Sequence, residues 1–190
     1  MKKLILALSL LWIPLAQAQT TTSVNFKSLN LNDSLVIVKG NGARKLAIFE
    51  DPNCPYCKQF EGSLARLNNV TFYIFLYPIL GDDSIKKSTS IWCSENRSYV
   101  WQNWMINNVA VAPKSCSTTP VYRNMALGKN LGFTGTPTVI FEDGTKEVGA
   151  ITSEKIEAKF TAFYGVYKPS VAAPSIIPSS NYSGNANLFK

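Results

Sequence analysis

The chain contains no histidine, and only four of its 190 residues are cysteine. Structural zinc usually takes four ligands from cysteine and histidine, so Cys54 and Cys57 would need a second close pair. Cys93 and Cys116 stand far apart and do not form one, which argues against a zinc module. Beyond the N-terminus there is no apolar run of the ~18 residues that a membrane-spanning helix needs. There are no internal repeats, and no basic run is interleaved with aromatics. The formal charge of +7 is therefore read as a solvated surface, not as a nucleic-acid footprint.

The N-terminus carries the one membrane-directed signal. Lys2-Lys3, the apolar stretch Leu4 to Leu15 and Ala16-Gln17-Ala18 match the charged region, apolar region and small-residue cleavage site of a secretory signal peptide. Residues 1–18 are thus expected to be removed, leaving a chain that begins at Gln19 and carries two fewer positive charges, +5. An uncleaved anchor would need a longer apolar run. No cysteine follows the cleavage site to take a lipid. Export implies an oxidising compartment in which disulfides persist.

The densest chemistry lies in Asp51-Pro52-Asn53-Cys54-Pro55-Tyr56-Cys57-Lys58-Gln59-Phe60. A buried-type strand, Leu46 to Phe49, leads in, and a helical pattern of Tyr56, Phe60, Leu64 and Leu67 leads out to Asn68-Asn69. Pro55 suits the first helical turn, which needs no N–H donor there, while Gly62 weakens the helix by about 1 kcal/mol relative to alanine. A thiol at a helix start faces free backbone N–H groups and the positive end of the helix dipole, and both favour thiolate. Cys54 is the expected nucleophile. Cys57, one turn deeper, can close a disulfide with it, which is redox chemistry that needs no cofactor.

Around this centre the pattern reads as one domain. A polar lead, 19–34, precedes a strand Leu35 to Val38, a turn at Gly40-Asn41-Gly42, the strand Leu46 to Phe49, the active helix and a strand Val70 to Tyr77 stopped by Pro78. Residues 82–132 lack strand signals and carry helical patches such as Tyr122, Met125 and Ala126, so they read as a helical insertion. Thr138 to Phe141, the turn Glu142-Asp143-Gly144-Thr145 and Lys146 to Val148 read as a hairpin. A closing helix follows, capped by Ser153 and striped by Ile156, Phe160 and Phe163. The domain spans 35–167, and the Pro- and Ser-rich residues 168–190 read as a disordered tail.

This order, a βαβ unit, a helical insertion and a ββα unit, is the α/β thioredoxin-like fold. From Leu35 to Phe163 the chain resembles the DsbC/DsbG-type periplasmic thiol-disulfide interchange proteins. Asp51 to Phe60 is similar to a DsbG-type active site. Ile91-Trp92-Cys93, Ser115-Cys116 and the stretches Ala126-Leu127-Gly128 and Gly135-Thr136-Pro137 are similar to the DsbC type.

The resemblance implies that Cys54 and Cys57 are catalytic, with Pro55, Tyr56, Thr136 and Pro137 binding substrate and tuning the redox pair. Pro137 corresponds to a cis-proline whose missing N–H frees the preceding backbone to pair with an extended substrate. Cys93 and Cys116 correspond to a structural disulfide worth roughly 3 kcal/mol, with a second redox relay as the alternative. The implied partners are exported disulfide-containing proteins and a membrane thiol reductase of the DsbD type, in the periplasm.

Departures from relatives refine the expectation. Ile48 stands where thioredoxin and the oxidase DsbA have a buried carboxylate, and Tyr56 stands where that oxidase has histidine, so a milder oxidant is expected. Glu50 and Asp51 are read as solvating and turn-forming, with proton transfer as the alternative. The isomerase relatives carry an N-terminal dimerisation domain for which residues 19–32 are too short. A monomer favouring reduction over efficient isomerisation is therefore expected. The rival readings are a copper(I)-binding module on the two thiolates and a non-catalytic partner-binding module.

Overall fold

A computed structural model of the chain describes residues 23–166. The signal-peptide reading of 1–18 and the tail reading of 168–190 lie outside the described residues. Five strands form one mixed sheet: β1 (Leu35–Lys39), β2 (Arg44–Glu50), β3 (Val70–Leu76), β4 (Thr138–Phe141) and β5 (Lys146–Val148), in the order β1-β3-β2-β4-β5. β2 and β3 run parallel because α1 (Pro55–Ala65) crosses between them, and the remaining neighbours pair antiparallel. The insertion supplies α2 (Asp82–Trp92), α3 (Arg97–Asn107) and α4 (Val121–Asn130), and α5 (Ser153–Tyr164) closes the domain.

β2 is apolar on both faces because both are covered. Leu46 and Ile48 point into a core shared with Phe60 and Leu64 of α1, Trp101 of α3 and Ile156 and Phe160 of α5. Ala47 and Phe49 point the other way, where Phe49 stacks on Phe75 at 4.6 Å and meets Tyr77 and Phe133 edge-on. The strand alternation thus splits one apolar run into two cores.

Several sequence expectations change in the folded chain. The lead is not merely polar: Val24, Phe26 and Leu29 are buried in the second core, held by two 3-10 turns. Tyr56 is 63% exposed, so α1 packs through Cys57, Phe60, Glu61 and Leu64 instead. Leu67 is buried beyond the end of α1, and Tyr122 and Phe163 are exposed. α5 is capped by Thr152, whose hydroxyl accepts from the Lys155 N–H, with Ser153 as its first residue.

Two contacts set the helical insertion against the active end. Trp101 Nε1 donates to Glu61 Oε1 at 2.6 Å inside the core, tying α3 to α1. On the other face, α4 lies so close to β3 that a Cβ on Gly128 would stand 2.6 Å from the Tyr77 ring. Only glycine permits that approach.

Candidate active site

Cys54 is the N-cap of α1, and Pro55 occupies the first helical position. The Cys57 N–H donates to Cys54 Sγ at 3.4 Å, and Cys54 Sγ lies 3.3 Å from the Thr136 carbonyl, to which it donates when protonated. The Thr136–Pro137 peptide bond is cis. The fold therefore brings Cys54 and Cys57 from α1 together with the loop before β4, joining residues 82 positions apart in the chain.

The two thiols differ in environment. Cys54 is lowered to about 6, chiefly by the Cys57 thiol donating to it; burial opposes this, and the Thr136 side chain and the backbone N–H groups of Cys57 and Tyr56 assist. Cys57 is fully buried, and that burial, its hydrogen bond to Cys54 and the nearby Glu50 all hold it as a thiol. One sulfur is thus a thiolate at neutral pH and the other is a protonated reserve.

The loop before Cys54 is tied down by acid chemistry. Asp51 is wholly buried and accepts from the backbone N–H groups of Asn53 and Leu80 and from the Ser84 hydroxyl, each at 2.8 Å. Its role goes beyond solvation and turn formation, because it joins the β2, β3 and α2 ends around the cysteines. Asn53 reaches Asp83 and accepts from Lys87, and Trp104 Nε1 donates to the Pro52 carbonyl at 2.6 Å. Lys58 and Lys87 both lie over the Trp104 ring, at 3.9 and 4.0 Å, which gives the rim beside Cys54 a positive character.

Glu50 departs furthest from expectation. It is wholly buried on the α1 side of the sheet, and neither carboxyl oxygen has a protein hydrogen-bond partner. Its signal was available: Glu50 continues the Leu46, Ile48 alternation, so it falls on the covered face two residues beyond Ile48. Trp104, Lys58 and Lys87 carried no such signal, because only tertiary folding brings them to the loop. Cys93 and Cys116 are disulfide-bonded away from Cys54 and Cys57, between the end of α2 and the loop before α4. Among the described residues no group of three or more Cys, Asp or Glu side chains could hold a metal ion.

A pair of free, buried cysteines at a helix start, facing a cis-proline loop at the end of a mixed sheet, defines a class, and the comparisons agree with it. The chain belongs to the thioredoxin-like family, whose domain model matches residues 31–164. Within the family its relatives are thiol:disulfide interchange proteins of the DsbC type. A Bordetella pertussis (strain Tohama I) protein named "Probable thiol:disulfide interchange protein DsbC" is 41% identical over 138 residues, covering 73% of this chain and 49% of the relative. The Escherichia coli K12 thiol:disulfide interchange protein DsbC is 29% identical over 136 residues, covering 68% and 57%. A crystal structure of a disulfide interchange protein from Neisseria gonorrhoeae superposes with a TM-score of 0.67 at 34% identity, covering 70% of this chain and 97% of that one. The chain spans about half the length of the curated relatives it matches.

Proposed function

We propose that this protein is a thiol-disulfide oxidoreductase, a disulfide reductase or isomerase acting on exported proteins in the periplasm. The observation that carries the reading is the asymmetry of the pair: a thiolate at Cys54 and a buried thiol at Cys57, set against Thr136 and Pro137. Cys54 attacks a substrate disulfide, one substrate sulfur leaves, and a mixed disulfide forms. Cys57 then attacks Cys54 Sγ and releases the second substrate sulfur, or the substrate rearranges and leaves Cys54 itself. Pro55 starts the helix, exposed Tyr56 offers a ring to the substrate beside Cys54, and the Thr136 backbone pairs with an extended segment.

The oxidised pair needs electrons returned to it, and a membrane thiol reductase of the DsbD type is the proposed source. Each chain works with one site, as a monomer, which favours reduction over unscrambling. The copper(I) alternative needs two thiolates, and the burial of Cys57 works against the second. The test is turnover of a small disulfide peptide with glutathione as the final reductant, beside reactivation of a scrambled multi-disulfide protein. Activity in the first assay that is lost in Cys54→Ala, with weak activity in the second and a monomer mass by light scattering, supports the reading. Equal peptide turnover by Cys54→Ala overturns it.

A further inference from the structure

A groove beside α2 takes no part in the dithiol chemistry. It has a volume of about 660 Å³ and lies between α2, the segment 111–115 and the start of α4. Lys86 and Lys87 line it from α2 and Lys114 from the segment opposite, while Val111, Pro113 and Tyr122 supply apolar surface. Asp83 is the one acid among the lining residues, and Lys87 pairs with it at 3.1 Å. The Lys86 and Lys114 ammonium groups have no ion-paired carboxylate among the described residues. With three lysines against one carboxylate, the lining is positive.

The groove starts at the redox centre. Lys87 Nζ donates to Asn53 Oδ1 at 2.6 Å, and Asn53 Nδ2 donates to Asp83 Oδ2 at 2.7 Å, so its near end is bonded to the residue before Cys54. Lys87 also lies over the Trp104 ring, whose indole N–H holds the Pro52 carbonyl. From Asp83 to Ser90 the wall follows α2 for about 10 Å at 1.5 Å per residue, a length that about three residues of extended peptide cover. The opposite wall is fixed to the same helix end: the Lys114 N–H donates to Ser90 Oγ at 3.2 Å, and the Cys93–Cys116 bridge follows.

We propose that this groove binds an acidic stretch of the substrate chain flanking its disulfide cysteine, with Lys86 and Lys114 taking the carboxylates and the apolar surface at Tyr122 taking a neighbouring side chain. The proposal rests on the dithiol reading above and adds a preference among its substrates. Charge selects this occupant. An extended segment leaving Cys54 past Asn53 meets Lys87 first and then the two unpaired lysines, and carboxylates are the groups that complement them. The chain's own residues 167–190 contain two lysines and no Asp or Glu, and a second copy carries the same net positive charge, so both match the groove less well.

The test compares disulfide peptides of one length whose residues beside the cysteine are either Asp and Glu or the amides Asn and Gln. Each reacts with the reduced full-length protein in stopped flow at low salt. The acidic peptide is expected to form the mixed disulfide about tenfold faster, the scale of a few exposed charge pairs, and about 0.5 M NaCl should remove most of the advantage. In Lys86→Gln/Lys114→Gln the acid-to-amide ratio should fall close to one. In Lys86→Glu/Lys114→Glu a lysine-flanked peptide should become the faster substrate. Lys27→Gln/Lys129→Gln removes the same charge from exposed positions outside the groove and should keep the preference. Equal loss in that control overturns the groove in favour of net charge. A ratio of one in the wild-type protein overturns the groove and leaves the dithiol reading intact, whereas no mixed disulfide with any peptide overturns both. Lysine acetylation of Cys57→Ala trapped on the acidic peptide gives the location: Lys86 and Lys114 should be protected only in the trapped complex. Protection without peptide assigns the groove to a second copy if dilution relieves it, or to the chain's own C-terminal residues if it does not, and either result overturns the proposal.

Discussion

The low pKa of Cys54 is attributed first to the Cys57 thiol and only then to backbone groups, and this ordering can be tested by changing one atom. Cys57→Ser keeps a donor beside Cys54, and Cys57→Ala removes it; in both, Cys54 is the only free thiol among the described residues. A hydrogen bond to an ionised group contributes about 1.5–3 kcal/mol, which corresponds to roughly one to two pH units. The Cys57 N–H at 3.4 Å and the Thr136 side chain remain in both variants and take up part of the loss, so the lower end applies. The Cys54 midpoint is expected to stay near 6 in Cys57→Ser and to rise by about one pH unit in Cys57→Ala. At the wild-type midpoint, iodoacetamide should then react roughly fivefold more slowly with Cys57→Ala than with Cys57→Ser, since only the thiolate reacts. Thiolate absorbance and alkylation rate against pH measure this. Coincident midpoints in the two variants would refute the donor argument and return the effect to Thr136 and the helix start.

Three further outcomes follow from packing. Because Glu50 and Glu61 are raised on folding, the stability they allow is full below the ordinary carboxylate value of 4.5 and is lost as pH rises through the folded values, about 7 for Glu61. Urea melts of Glu50→Gln/Glu61→Gln should lose that decline and show, from Glu61 alone, a gain on the order of 3 kcal/mol at pH 8. A wild-type pH dependence in the double variant would count against burial as the cause. Gly128→Ala should cost about 1–3 kcal/mol through the Tyr77 ring, with Cys54 alkylation unchanged; a neutral melt would mean that α4 shifts freely. Removing the Cys93–Cys116 bridge, with its 23-residue separation, as the double alanine variant should lower stability by about 3 kcal/mol and leave the Cys54 midpoint in place. A displaced midpoint there would make the bridge part of the redox site.

The sequence by itself determined what depends on local order. The strand β2, the helix start at Cys54-Pro55, the parallel return of β3 and the hairpin β4–β5 each follow from short-range periodicity and turn chemistry, and they lie where the pattern put them. Tyr56 was misplaced on the core face because helical spacing cannot tell which side of α1 meets the sheet, and Ser153 yielded the cap to Thr152 because either hydroxyl suits a helix start. Only the tertiary structure decided the polarity of the site. Burying Glu50 and Asp51 depends on α1, α2 and the β3 end closing over β2, and the Trp101–Glu61, Trp104–Pro52 and Cys54–Thr136 contacts join residues 40, 52 and 82 positions apart. Ionisation is set by solvent access and by neighbours in space, and neither is a property of the local sequence.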